Sequence, residues 1–252
     1  MEISLPFISV VIPACNEEEC ISRCLSSVLN LNYPSEQYEV ILVNNNSSDK
    51  TREIVRRDFP TVRLIDEPRQ GIVFARMRGA TEARGEIIVC TDADCTVPID
   101  WLTKIAAIYV DPAIVAVGGG VSYQETSFLS RQQLVGYWLH LFVYTVMTGQ
   151  NMSFRIGAYR ACGGYDERVN FGEDTYISQQ LKKVGRVVVL HHNAVTTSLR
   201  RQHSTDWLIY NIKIALSTYS LLIFGRPLRL SLKPMSATRR MKLPVSRKNN
   251  PA

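Results

Sequence analysis

Glu86-Ile87-Ile88-Val89-Cys90-Thr91-Asp92-Ala93-Asp94 is the stretch that decides the fold. Its short, β-rich apolar run reads as a strand, and the strand leads directly into two carboxylates two positions apart. The same unit recurs on either side. Strand-like runs at 7–12, 39–43, 62–65 and 114–117 are separated by longer stretches with helical spacing. In the first of these stretches, 17–29, Ile21, Cys24, Leu25, Val28 and Leu29 fall on one apolar face. Asp49 is placed to cap the second, and 71–83 carries the third. Strand and helix in strict alternation predict an α/β fold, with a mostly parallel sheet flanked by helices on both sides. Ligands of such sheets bind beyond the carboxyl ends of the strands, so the loops starting at Pro13, Asn44, Asp66 and Asp92 are where chemistry is expected.

Composition sets the outer limits. At 252 residues and 46% apolar content the chain can bury one substantial core, which excludes a disordered polypeptide. The formal charge of +6 is unevenly placed: Arg226, Arg229, Lys233, Arg239, Arg240, Lys242, Arg247 and Lys248 follow Gly225 with no acidic residue among them. Removing those eight charges from +6 leaves −2 for the rest. Two readings of this basic tail stay open: a solvated end, or attraction to an anionic membrane surface at roughly 1 kcal/mol per basic residue. Nucleic acid is the weaker partner, because the tail has no aromatic residue to stack on bases. Six cysteines without a Cys-x-x-Cys pair indicate neither a disulfide scaffold nor a zinc site. The first residues read as a strand and not as a signal peptide, so a reducing, cytoplasmic location is expected.

The second half is less regular. Segment 134–147 has no Asp, Glu, Lys or Arg, and 208–224 has Lys213 as its only charge. At about 1.5 Å per residue neither comfortably crosses a hydrocarbon layer of roughly 30 Å. They read as core helices or as helices lying in a membrane interface; Tyr137, Trp138, Tyr144, Tyr210 and Tyr219 favour in-plane contact for at least one.

Two carboxylates leaving one strand end suit a hard divalent cation bound through carboxylate and phosphate oxygens. There is no Gly-x-Gly-x-x-Gly after the first strand and no Gly-x-x-x-x-Gly-Lys-Ser/Thr loop, which disfavours dinucleotide oxidoreduction and P-loop phosphoryl transfer. A diphosphate ligand would then be neutralised by a metal held on the Asp-x-Asp loop. Further on, Glu173-Asp174 opens a helix after Gly163-Gly164-Tyr165-Asp166. Acids there suit the helix dipole, and one of them can also serve as a general base toward an attacking hydroxyl.

These residues together resemble glycosyltransferase family two, the large inverting GT-A group, over roughly residues 8–201. The resemblance rests on Val10-Val11-Ile12-Pro13-Ala14-Cys15-Asn16-Glu17-Glu18, then Ile41-Leu42-Val43-Asn44-Asn45-Asn46-Ser47-Ser48-Asp49, then Gly71-Ile72-Val73-Phe74-Ala75-Arg76 with Gly85-Glu86. It continues with Thr91-Asp92-Ala93-Asp94, Gly149-Gln150-Asn151-Met152-Ser153-Phe154-Arg155, and Gly163-Gly164-Tyr165-Asp166 leading to Gly172-Glu173-Asp174. It implies a GT-A, Rossmann-like domain over 1–205, with a donor half over roughly 1–120 and an acceptor half over roughly 121–205. An apolar helix and basic tail at the membrane would occupy 206–252.

The implied reaction moves a sugar, with inversion, from a nucleotide-sugar donor to a hydroxyl of a glycan or lipid-linked acceptor, as in cell-surface polysaccharide or glycolipid synthesis. Pro13, Ala14, Glu17, Asn44 and Arg76 would surround the base and ribose, with Asp92 near the ribose. Asp94 would bind the divalent metal ion, Mn or Mg, that bridges the diphosphate. Asp174 would be the base, and Glu173 would support the acceptor side. The family usually has an aspartate at the Asn44 position; an amide donates as well as accepts, so the base identity does not carry over, and uridine is the first expectation. His191, His192 and His203, after a predicted strand at 186–190, are candidates for a third metal contact, and Arg200 and Arg201 for the diphosphate. The chain lacks the Gln-x-x-Arg-Trp motif of processive synthases, so one sugar per encounter is expected. Two rivals remain: a nucleotidyltransferase, against which the acidic loop after Pro13 speaks, and an inactive scaffold of the same fold, which Asn44 keeps open.

Overall fold

The computed structural model describes residues 5–124, 147–169, 171–197 and 205–224. Its strands are β1 (Ile8–Ala14), β2 (Tyr38–Asn44), β3 (Arg63–Asp66), β4 (Ile87–Cys90), β5 (Ile114–Tyr123), β6 (Met152–Arg155) and β7 (Arg186–Thr197). The helices are α1 (Ile21–Leu29), α2 (Thr51–Asp58), α3 (Ile72–Glu82), α4 (Trp101–Ile108), α5 (Ile156–Ala161), α6 (Glu173–Lys182) and α7 (Thr205–Phe224). The strands form one sheet in the order β3-β2-β1-β4-β6-β5-β7. β1 runs parallel to β2 and β4, β2 to β3, and β5 to β7, while β6 is antiparallel to both of its neighbours.

Period-two alternation builds two cores on this sheet. Ile8, Val10 and Ile12 of β1, with Ile87 and Val89 of β4, face the layer formed by Ile21, Cys24, Leu25 and Val28 of α1 and by Trp101, Leu102 and Ile105 of α4. Val11, Ile88 and Cys90 point the other way, onto Val73 and Ala80 of α3 and Ile177 and Leu181 of α6. Each of these aliphatic side chains contributes about 1.5–3 kcal/mol when fully buried, so the two layers fix the strand ends firmly.

The expected parallel α/β architecture is therefore present, with differences in detail. β1 and β2 both extend to Ala14 and Asn44, which are register partners. β5 continues through Gly118, Gly119 and Gly120 to Tyr123, and β7 continues through His191 and His192 to Thr197. Those histidines thus lie within a strand and not in a loop after it; pairing with the long β5 carries β7 past them. His192 is exposed. Asp49 does serve the start of α2: its Oδ1 accepts from the Thr51 N–H at 2.9 Å and from the Thr51 hydroxyl at 2.5 Å.

The apolar segment 134–147 lies outside the described residues except for Met147, which is fully buried. The segment 208–224 belongs to one helix, α7, whose Ser217, Thr218 and Leu221 are buried beside the start of α6. The Ser217 hydroxyl donates to the Phe171 carbonyl at 2.7 Å. Among the described residues no helix is long and apolar enough to cross a membrane. Arg200, Arg201, His203 and the basic tail lie outside the described residues.

Candidate active site

Strand order reverses at β1. From β1 the chain steps outward to β2 and β3, and α3 then brings it back to β4 on the other side of β1. Crevices at such reversals, beyond the carboxyl ends of the strands, hold ligands. Ala14 and Asn44 end β1 and β2 there, and Thr91, Asp92, Ala93 and Asp94 follow β4. Pro13 and Ala14 are buried backbone at the floor of this crevice, and Glu17 is 2% exposed one loop further on.

One wall is wired by side-chain amides. Asn16 and Asn46 both adopt left-handed backbone, φ 58° and 59°, a conformation that asparagine tolerates better than most residues. The Asn16 Oδ1 accepts the Ser48 N–H at 2.7 Å, which ties the loop after β1 to the loop after β2. Asn45 Nδ2 donates to the carbonyls of Glu67 and Arg69, and its Oδ1 accepts the Gly71 N–H at 2.8 Å. Asn44 Nδ2 donates to Asp66 Oδ1 at 2.8 Å, and the Ser47 N–H donates to Asn44 Oδ1 at 3.3 Å. Asp66 is also gripped by Arg52, at 2.8 and 3.2 Å; Arg52 first and Asn44 second hold its carboxyl below the ordinary aspartate range.

The other wall is a buried charge cluster. Arg76, on α3, is 2% exposed and forms ion pairs with Asp92 at 3.1 Å and with Glu173 at 2.8 Å. Burial opposes the Arg76 cation, but Glu173 and Asp92 outweigh it and hold the guanidinium above its ordinary value. Burial, against the pull of Arg76, raises the Glu173 carboxyl to about 7, and Asp174 next to it adds to the rise. Glu173 and Asp174 open α6 after Gly172, whose φ of 74° is left-handed. Asp174 is half-buried; its Oδ1 accepts the Thr175 N–H at 2.7 Å and its Oδ2 accepts the Gly149 N–H at 3.3 Å. Gly149 is required by proximity, because a Cβ there would stand 1.9 Å from Arg76 Nη2.

Two neutral thiols lie under the Asp92–Asp94 turn. Cys24 Sγ donates to the Asp92 carbonyl at 3.5 Å and Cys95 Sγ to Asp94 Oδ1 at 3.8 Å. Burial, reinforced by the two aspartates, raises both thiols and keeps them protonated.

Among the described residues no three His, Cys, Asp or Glu side chains converge as a complete metal cage. The donor chemistry nevertheless suits a hard cation: Asp94 and Asp92 offer carboxylate oxygens, and Mg²⁺ or Mn²⁺ commonly takes the balance of its shell from phosphates and water. Three of the four buried side-chain polar atoms without a partner among the described residues, Arg76 Nε, Thr91 Oγ1 and Thr148 Oγ1, belong to the cluster or to residues beside it. Among the described residues the polar interior here is therefore incompletely paired.

Arg76 thus joins Asp92 to Glu173, 81 positions apart in the chain, by the difference of their numbers. Its guanidinium faces two carboxylates, whereas the sequence suggested a place beside base and ribose. Sequence reading passed over Asn45, the Gly149 N–H and the Asp66 carboxylate. Asp66 carried a signal as the start of a strand-end loop, and Asn45 and Gly149 stood inside quoted motifs without a role being assigned to them.

The profile described as Glycosyl transferase family 2 matches residues 9–163. Glycosyltransferase AglE of Haloferax volcanii is 38% identical over 128 residues, 49% of this chain and 42% of that protein. The probable glycosyltransferase YdaM of Bacillus subtilis is 29% identical over 231 residues, covering 82% and 53% of the two. A beta-monoglucosyldiacylglycerol synthase of Trichormus variabilis is 28% identical over 184 residues, covering 66% and 39%. The chain spans about half the length of the curated relatives it matches. Among solved structures, mannosyltransferase PcManGT of Pyrobaculum calidifontis, in complex with GDP-Man and Mn2+, superimposes with a TM-score of 0.75 at 22% identity, covering 90% of this chain and 67% of that one. TarS 1–349 of S. aureus in complex with UDP gives a TM-score of 0.61 at 18% identity, covering 76% and 60%. At these identities what is shared is the GT-A fold.

Proposed function

Starting from a chain that belongs to glycosyl transferase family 2, we propose that it transfers a sugar, with inversion, from a nucleoside-diphosphate donor to a hydroxyl of a glycan or lipid-linked acceptor. A UDP-sugar is the first donor to test. The observation that carries the reading is Arg76, which brings the carboxylates after β4 and those at the start of α6 into one crevice. Such a crevice has a donor side, beyond β1, β2 and β4, and an acceptor side, at α6.

Asp174 is the base. Two backbone N–H groups orient its carboxylate, and among the described residues it forms no ion pair, so it can accept the proton of the attacking hydroxyl. Glu173 is held on Arg76 and fits a supporting role on the acceptor side. Pro13, Ala14, Glu17 and Asn44 face the base and ribose from the β1 and β2 ends, and Asp92 faces the ribose from β4. Asp94, with Asp92, would hold the divalent ion. That ion, when bound, supplies Lewis-acid stabilisation of the charge on the departing diphosphate. Placing donor and acceptor in one crevice contributes the orientation term.

A lipid-linked acceptor fits the exposed apolar face of α7, where Ile212, Leu216, Tyr219 and Ile223 recur at helical spacing and are each at least half exposed. Eight basic residues follow beyond Gly225. Both favour peripheral contact with an anionic, cytoplasmic membrane face. The name of the Trichormus variabilis relative, which describes a glycolipid synthase, supports the same direction.

Calorimetric titration with UDP, GDP, dTDP and CDP, each with and without Mn2+, tests the donor class. Metal-dependent binding of one nucleotide is expected, and it should vanish in Asp94→Ala. Asp174→Asn should keep donor affinity within about twofold and lose transfer by about 10²–10⁴-fold. A wild-type protein that binds none of the four nucleotides would instead favour the inactive scaffold.

A further inference from the structure

Asn44 ends β2 with its amide against Asp66, and this neighbour supplies a physical reason for an amide at that position. Asn44 and Asp66 are register partners at the ends of β2 and β3. A carboxylate can only accept, and a backbone N–H can only donate. Asp66 takes a hydrogen bond from Asn44 Nδ2, and the Ser47 N–H gives one to Asn44 Oδ1, so only one of the two amide orientations satisfies both. An aspartate at 44 would instead set two carboxylates in direct contact. Arg52 fixes Asp66 from outside through both of its oxygens, which leaves Asp66 little freedom to release the amide.

We propose that Asp66 is a positioning residue for nucleobase selection: by locking the Asn44 amide, it fixes which edge of a base that amide accepts. The proposal rests on the glycosyltransferase reading above. An amide nitrogen has two hydrogens and an amide oxygen two lone pairs, so one donor and one acceptor of Asn44 remain for a ligand. Together they match a base edge on which an N–H stands beside a carbonyl. Uracil and guanine present that edge. Cytosine held in the same pose presents the reverse order, an amino group beside an acceptor nitrogen, and would need the amide turned over. A free amide turns over readily; one held by Asp66 does not.

Mn2+-loaded full-length protein is titrated with UDP, GDP and CDP, for wild type and for Asp66→Ala, Asn44→Asp and the exchange Asn44→Asp/Asp66→Asn. Wild type is expected to favour UDP or GDP over CDP by at least about tenfold, and the UDP and GDP arms tell the two bases apart. Asp66→Ala should bring that ratio to within about threefold while still binding nucleotide in a metal-dependent way. Asn44→Asp alone should weaken nucleotide binding about tenfold; the exchange should recover affinity, because one carboxylate and one amide again face each other, but not the wild-type ratio, because a carboxylate at 44 offers the base no donor. The exchange also controls for misfolding of the single variants. A ratio unchanged in Asp66→Ala, an exchange no better than Asn44→Asp, or a wild type indifferent to the base would each overturn the proposal. Absence of any nucleotide binding by wild type would instead overturn the donor assignment on which it rests.

Discussion

The two walls of the crevice both consist of an arginine clasping carboxylates, yet they differ in their access to water. On the base side, Arg52 and Asp66 leave 42% and 51% of their side chains exposed. On the α3 and α6 side, proposed as catalytic, Arg76 is 2% exposed, with Glu173 at 11% and Asp92 at 25%. Water screens the first pair and does little for the second, so similar geometry has unlike consequences. A buried cation surrounded by anions makes a rigid strut whose loss strands its partners. An exposed pair holds direction without contributing much to stability. In the proposed function the strut would keep the loop after β4 aligned with the start of α6, and the exposed pair would sit at the rim where the nucleobase is read.

Removing the strut should have the largest effect. Arg76→Ala leaves Glu173 without its ion-pair partner in a buried site and is expected to cost about 3–5 kcal/mol in urea unfolding. That is a large share of a domain's usual stability of about 5–15 kcal/mol. A loss under about 1 kcal/mol would show that the cluster does not bind the two halves together. Gly149→Ala attacks the same strut from its other side, since the new methyl would meet the guanidinium, and about 1–3 kcal/mol is expected from overpacking.

A smaller effect should appear as pH dependence. The Glu173 carboxyl is raised in the folded protein to about 7, chiefly by burial, from an unfolded value near 4.5. Between those values the folded state holds more protons than the unfolded state, so Glu173's contribution makes stability fall as pH rises through that window. Glu173→Gln, a neutral isostere of the protonated acid, should flatten this slope, with stability close to wild type near pH 4.5 and above it near pH 7. Parallel stability profiles for the two proteins from pH 4.5 to 7 would rule this out. Asp66 titrates in the opposite sense, which gives the comparison a second axis.

What the chain revealed in advance follows the same division between local and distant causes. β1, β2, β3 and β4 and the buried face of α1 were legible, because their apolar periods lie within single segments. β6 was not. Met152-Ser153-Phe154-Arg155 is short, and its place is set by β4 and β5, far away in sequence. β5 was read as ending at residue 117 because Gly118, Gly119 and Gly120 weaken a strand signal. Two of those glycines are there to make room: a Cβ at Gly118 would meet Met147, and one at Gly119 would meet the Asn151 amide. The Asn151 amide is itself buried, donating to the Gly120 and Asn193 carbonyls and accepting from the Trp101 indole. In the site, the acidic residues at strand and helix ends could be named from their positions, whereas the partner of Arg76 could not, since Glu173 lies 97 positions away. In the asparagine run that ends β2, only Asn44 was read as a base contact; folded, Asn44 binds Asp66 at the end of β3, and Asn45 and Asn46 bind the loop that follows it.

Arg52→Ala is the mildest test. Exposed ion pairs contribute little, so a loss much smaller than that of Arg76→Ala is expected, and about 1 M salt should shrink it further. Arg52 is the first cause of the lowered Asp66 carboxyl, with Asn44 second. A depressed carboxyl contributes stability at neutral pH that is lost as pH falls through its folded value, so the gap between wild type and Arg52→Ala should also close in acid. The deficit of Arg76→Ala should survive the same salt, because its partners are shielded by protein and not by ions. If both deficits faded alike with salt, the catalytic wall would be as open to solvent as the rim, and its carboxylates would have no need of a buried arginine to stay aligned.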